Sequence, residues 1–182
     1  MLERDWAYLE AALEGLEDYL QSSILYYPLG STKKVQGLLQ LTLGNLQVTI
    51  ARLQAVQWGV EEGRKLDRLL TEITTIQNRW SANWNKKAEQ EIPARLNLWR
   101  NSLNDWAYSR EHILVGYQHQ VRWRVILHLL LAESGSLYRE ESILAGLDAR
   151  LRMISTQGDF IWEPEIEQGF PQQVYWYLYL NV

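Results

Sequence analysis

IPARLNLWRNSLNDWAYSREHILVGYQHQVRWRVILHLLLA, residues 92–132, is the stretch that decides the fold. Ile92, Leu96, Trp99, Leu103, Trp106, Arg110, Ile113, Tyr117, Val121, Val125 and His128 recur at steps of three and four without a slip. On a 3.6-residue helix these positions make one continuous stripe. Pro93 suits a first helical position, where its missing N–H costs nothing. The spacing therefore predicts a single long helix over 93–132, about 60 Å at 1.5 Å per residue, with a bend near Gly116.

The same period extends in both directions. Downstream, Ser134-Gly135-Ser136 stops the long helix, and Ser136 caps a last one over 137–157. Ile143, Leu144, Leu147, Leu151 and Ile154 face inward there, and Gly158 is the expected C-terminal stop. At the other end, Trp6, Leu9, Leu13, Leu16 and Leu20 predict an amphipathic helix over 3–24, with Glu3, Glu10, Glu14, Glu17 and Asp18 on its wet face. Pro28 ends it. The connection to about residue 40 either crosses the bundle or carries a short helix of its own. Leu39, Leu43, Leu46, Ile50 and Leu53 place a second helix over 42–58. Gly59 and Gly63 predict a break, each costing about 1 kcal/mol against Ala inside a helix. From Arg64 the stripe resumes through Leu66, Leu69, Ile73, Ile76, Trp80, Trp84 and Ala88, with polar Asn85 to Glu91 as the exposed end.

The segment 159–182 differs. It carries two Trp, three Tyr and two Phe, and Val174 to Leu180 alternates Tyr with apolar side chains. Period two favours a strand, while Pro171 followed by two Gln allows a short helix. So much ring surface must be packed, along the bundle or onto a second copy. The expected fold is all-α: a single domain, 1–182, forming an antiparallel bundle of about five helices with an aromatic, largely non-helical C-terminal strap.

Composition narrows function mostly by exclusion. The chain has 182 residues, 47% hydrophobic and 22% charged, the range of a soluble globular domain. Its longest nearly apolar run, Val125–Ala132, is far short of the roughly 20 residues that span a bilayer. The acidic opening lacks the basic, then apolar, pattern of a secretory signal. With no cysteine, disulfides, thiolate nucleophiles and Cys-type metal sites are excluded together. A cytoplasmic location is the expectation.

Charge is uneven. Residues 1–30 hold six acids and one base, 31–138 fourteen bases and nine acids, and 139–182 seven acids and three bases. Acidic terminal segments packing beside a basic middle explain this without an outside partner. Aromatic choice is uneven as well: nine Trp and ten Tyr stand against two Phe. Indole N–H and phenol O–H need partners when buried, so these rings suit surfaces that are half apolar and half wet.

Few residues nominate chemistry. Asp105, His112 and His119 lie seven apart on one helical line, a weak metal alternative. Seven helical residues separate neighbours by about 10 Å, too far for one ion, and the row lies opposite the apolar stripe. No metal or cofactor is expected. His128 falls on the apolar stripe and reads as a neutral core histidine. Arg110 and Arg124 also lie on or beside it, so their charges should reach the rim or pair with acids of the terminal helices. Arg79-Trp80, Trp99-Arg100 and Arg122-Trp123-Arg124 interleave bases with rings, as some single-strand binders do, but an isoelectric point near 5.4 makes nucleic acid an unlikely partner. Ser134-Gly135-Ser136 lacks the spacing of a nucleophile elbow, and no phosphate-binding Gly-rich loop occurs.

The Trp and Tyr excess favours an interaction or assembly module, with a protein partner or a second copy as a homodimer. The alternative is a small-molecule site or enzyme with an aromatic pocket between helices. Candidate contact residues are Trp99, Trp106, Arg110, Tyr117, Trp123, Arg124, Trp162 and Trp176. No residue is nominated as catalytic.

Overall fold

A computed structural model describes residues 2–29, 37–108, 113–135 and 137–182. Helix dominates: α1 Leu2–Gln21, α2 Leu43–Gln54, α3 Val60–Arg79, α4 Ser81–Tyr108, α5 Ile113–Glu133 and α6 Tyr138–Ile154. Two short 3-10 turns, Pro164–Gly169 and Trp176–Leu178, and two paired dipeptides, β1 Thr156–Gln157 and β2 Leu180–Asn181, complete the order. The all-α expectation holds. Residues divide into two compact units, Met1–Glu91 and Ile92–Val182, whose boundary falls inside α4.

In the first unit α1 packs on both α2 and α3, and α2 is buried at nine of its twelve positions. Its neighbour α1 runs antiparallel to it: Asp5 near the start of α1 pairs with Arg52 near the end of α2 at 2.9 Å. Helix α3 runs back parallel to α1, since Lys65 pairs with Glu10 and Arg79 with Glu17. The break expected at Gly59 or Gly63 lies between Gln54 and Val60, with Gly59 as the N-cap of α3 and Gly63 inside it. Tyr27 and Leu41 exchange both backbone hydrogen bonds, at 3.0 and 2.8 Å, so the ends of the long connection meet.

The start of α4 corrects the sequence reading. Asn85 to Glu91 is not an end but lies inside α4, and it is exposed only in part: Asn85, Lys86, Glu89 and Gln90 face water, while Lys87 is 3% exposed and Glu91 wholly buried. Asn83, Lys87 and Glu91 recur every four residues and form a polar seam that serves the termini of other helices. Asn83 donates to the Leu20 carbonyl at 3.0 Å, and Lys87 to those of Ser22 and Ile24 at 2.9 and 2.6 Å. Glu91 accepts the Gly44 N–H at 2.9 Å. A cation thus meets the carbonyls just past the end of α1, and a carboxylate meets the first turn of α2, the signs that the backbone dipoles favour. The Lys87 ammonium also lies 4.4 Å from the Tyr19 ring centre. Polar composition had suggested solvent; unsatisfied helix ends were the competing partner. Glu91→Ala should cost about 1–3 kcal/mol by stranding a buried backbone donor. Glu91→Gln, which keeps an acceptor, should cost less, and thermal melts followed at 222 nm compare the two.

The long-helix expectation is also corrected. Pro93 lies inside α4 rather than opening a helix, and the 93–132 span is divided between α4 and α5. Trp106 and Tyr117 prove that the two are separate elements. Eleven residues of continuous helix span about 16.5 Å, yet these rings meet at 5.2 Å. A stripe of constant period cannot distinguish one rod from two helices that face the same core. Pro93 is tolerated because buried Ala88, Glu91, Ile92, Arg95 and Leu96 hold the helix on both sides of it.

Beyond α6 the segment from residue 156 closes on itself. Thr156 pairs with Asn181 and Gln157 with Leu180, antiparallel. Gly158 is therefore not a helix stop: its N–H donates to Tyr179, and a Cβ there would lie 2.7 Å from the Asn181 side chain. Neither a full strand nor a regular helix forms over 174–180. Adjacent Tyr177 and Leu178 are both fully buried, whereas a strand would send them to opposite faces. The 3-10 turn over Trp176–Leu178 turns both inward. Ser136, the expected cap of α6, lies outside the described residues.

Candidate functional site

The second unit gathers most of the residues that the sequence singles out. Trp99 and Trp106 on α4 meet edge to face with ring centres 5.6 Å apart, and Trp106 meets Tyr117 of α5 in the same way. The Tyr117 hydroxyl donates to the Tyr177 carbonyl, which ties α5 to the C-terminal segment. Trp99, Trp106 and Tyr117 are all buried, so these rings form a packed ladder. Burial pushes the Tyr117 and Tyr177 hydroxyls far above the usual tyrosine range, so both stay protonated.

Arg124 lies two turns along α5 from Tyr117. Its Nε and Nη2 each donate to a carboxylate oxygen of Asp148 on α6 at 2.8 Å, a bidentate pair. The flat face of the guanidinium lies 4.2 Å from the Tyr177 ring centre. Its charge is thus met by an acid of the last helix, one of the two outcomes expected for it. The same logic covers the uneven charge of the chain: Asp5–Arg52, Glu10–Lys65, Glu17–Arg79 and Asp148–Arg124 each join a terminal acidic segment to the basic middle.

One turn further, His128 packs against Tyr175 with ring centres 4.9 Å apart. Burial holds its pKa below the usual 6.5, and the nearby Arg124 charge adds to this, partly offset by Asp148. The fold therefore favours the neutral ring. Its contribution to stability is full above about pH 6.5 and is lost as pH falls below that toward the depressed native value. His128→Gln should melt at a temperature that falls less between pH 7.5 and pH 5 than that of the parent protein. Identical falls in the two proteins would refute this coupling.

Trp162 and Trp176 complete the set. The Trp162 indole donates to the Gln118 carbonyl at 3.1 Å, and Gln118 donates back to the Ile161 carbonyl at 2.7 Å. Trp176 stacks on the Arg152 guanidinium, 3.8 Å from ring centre to Cζ. Trp123 is half-buried on α5. Arg110 and His112 lie outside the described residues. Asp105 and His119 are exposed, and no cluster of three metal-ligating side chains occurs among the described residues.

The outer face of α6 went unread in the sequence. Leu144, Leu147 and Leu151 bury one side of this helix. On the other, Tyr138 is 79% and Met153 81% exposed. Between them Ser142, Ala145, Gly146 and Ala149 are exposed too, so this strip is uncharged over the whole length of the helix. A Cβ built on Gly146 meets no atom within 4 Å. Tyr138 and Met153 thus stand in water at the two ends of an uncharged helix face, about 22 Å apart along the axis. The signal was available: positions 138, 142, 145, 149 and 153 share one helical line.

Known proteins add nothing to this picture. No family model, curated protein or solved structure matches the chain. Among the described residues no helix is long and apolar enough to cross a membrane.

Proposed function

We propose that the chain is an interaction or assembly module that works by protein–protein contact. The observation that carries this is the uncharged outer face of α6, held open between Tyr138 and Met153. Aromatic and basic groups elsewhere support it by being engaged within the fold. Arg79 pairs with Glu17, Arg100 with Asn97 and Arg124 with Asp148, so three arginines that neighbour Trp in sequence already have acceptors. That favours a protein partner over nucleic acid, which would need those cations at its phosphates. A cysteine-free chain is compatible with the cytoplasm, where we place it.

A photo-crosslinking amino acid at Ala149, in the full chain and in the cells that make it, tests the proposal. A discrete adduct is expected from Ala149 and not from the exposed control position Glu72 on α3. Adducts that are absent or equal at both positions would overturn it.

A further inference from the structure

We infer that the core of the second unit binds an internal water between the Arg124 guanidinium and the Tyr177 hydroxyl. This site is separate from the α6 face and does not depend on the interaction proposal. Arg124 is 7% exposed and Tyr177 wholly buried, so neither side chain turns to bulk solvent. Asp148 takes Nε and Nη2 of Arg124, which leaves both hydrogens of Nη1 on the far edge of the fork. Neither Arg124 Nη1 nor the Tyr177 hydroxyl has a hydrogen-bond partner among the described residues. Each is costly to bury unpaired, and the two belong to one stacked pair.

Geometry limits what can join them. The guanidinium carbon lies 4.2 Å from the Tyr177 ring centre, and the hydroxyl projects from the edge of that ring. The two polar groups are therefore about 5 Å apart, too far for a direct hydrogen bond and within the span of one water making two bonds of about 2.8 Å. Nη1 only donates, whereas the hydroxyl donates or accepts. A water accepts from Nη1 and exchanges its second bond with the hydroxyl in either sense.

Chemistry selects water over an anion. Asp148 already neutralises Arg124, so a chloride or a carboxylate ligand would bury an unbalanced negative charge. An apolar group would leave both polar atoms unpaired. The ring chosen at position 177 agrees with a wet site. Phe170, linked to Tyr177 through Tyr175 in the same aromatic cluster, is also fully buried and carries no hydroxyl. Packing alone does not call for Tyr there. A bound water gives the hydroxyl its partner, and gives the chain's preference for Tyr over Phe a concrete cause at this position.

Two measurements on the full chain test the site. A high-resolution crystal structure should show one peak within hydrogen-bonding distance of both Arg124 Nη1 and Tyr177 Oη, and a bromide soak should leave that peak without anomalous signal. No peak, a direct Nη1–Oη bond, or bromide in its place would overturn the water. Tyr177→Phe gives the second reading, because it keeps the ring against the guanidinium and removes only the hydroxyl. If water bridges the pair, the variant loses a bond and should melt about 2–4 °C below the parent protein. If the hydroxyl is buried with no partner at all, removing it relieves a cost. Melting at or above the parent temperature would therefore sink the proposal.

Discussion

Asp148→Ala should be the most damaging single substitution in the second unit, lowering stability by about 3–5 kcal/mol because it leaves the buried Arg124 charge uncompensated. The guanidinium cannot shed its proton, and it is wedged between α6 and the Tyr177 ring, so it cannot swing out without displacing the C-terminal segment. At this chain length the midpoint should fall by on the order of 10 °C. Replacing both partners, Arg124→Met with Asp148→Leu, should recover much of the loss, since two apolar side chains carry no charge to strand. Chemical denaturation of the three variants makes a double-mutant cycle. A loss under about 1 kcal/mol for Asp148→Ala would mean the pair behaves as an exposed one.

Phe170→Ala should come second, at about 3–5 kcal/mol. Phe170 is fully buried and lies within 5.0 to 6.4 Å of the ring centres of Phe160, Trp162 and Tyr175. Its carbonyl also accepts the Tyr179 hydroxyl at 2.9 Å, so the ring sits at the knot of the closed segment. Because Tyr175 and Tyr177 of that segment touch His128 and Arg124, the loss should spread to α5 and lower the whole unit's melting temperature. Near-ultraviolet and far-ultraviolet circular dichroism should fall together. An early near-ultraviolet transition alone would mean that the segment melts apart from the helices. Deleting residues 156–182 is the harsher version: it uncovers Tyr117 and Arg124, and the truncated chain should melt earlier and tend to aggregate.

What could be read from the sequence follows from what periodicity encodes. Apolar recurrence reports which side of a helix is covered, so α1, α2 and α6 appear within a few residues of their expected places, whereas α3 stops at Arg79 and the stripe expected to carry it on through Trp84 and Ala88 belongs to α4. It reports nothing about chain direction, which is why the stripe from Ile92 to His128 looked like one rod. Polarity reports a wish for partners, and water is only one such partner. Lys87 and Glu91 find theirs in helix ends that no local window could reveal. The candidate residues fared likewise. Trp99, Trp106, Tyr117 and Arg124 do come together, but with Asp148 and Tyr177, which lie 24 and 53 residues beyond Arg124 in sequence. Only tertiary pairing could nominate those two. Tyr138 and Met153 share one helical line opposite the buried Leu144, Leu147 and Leu151, a pattern legible in the sequence.

Amide hydrogen exchange in the C-terminal segment tests most directly whether its rings belong to the core of the second unit. The Ile161 N–H donates to Leu178 at 3.0 Å and the Leu178 N–H to Tyr175 at 2.8 Å, so both bonds must open before exchange. If the segment is core, these two amides exchange only through global opening, at the free energy of the mid-α5 amides. Exchange of Ile161 and Leu178 orders of magnitude ahead of α5 would contradict the account, and would make the segment an attached flap.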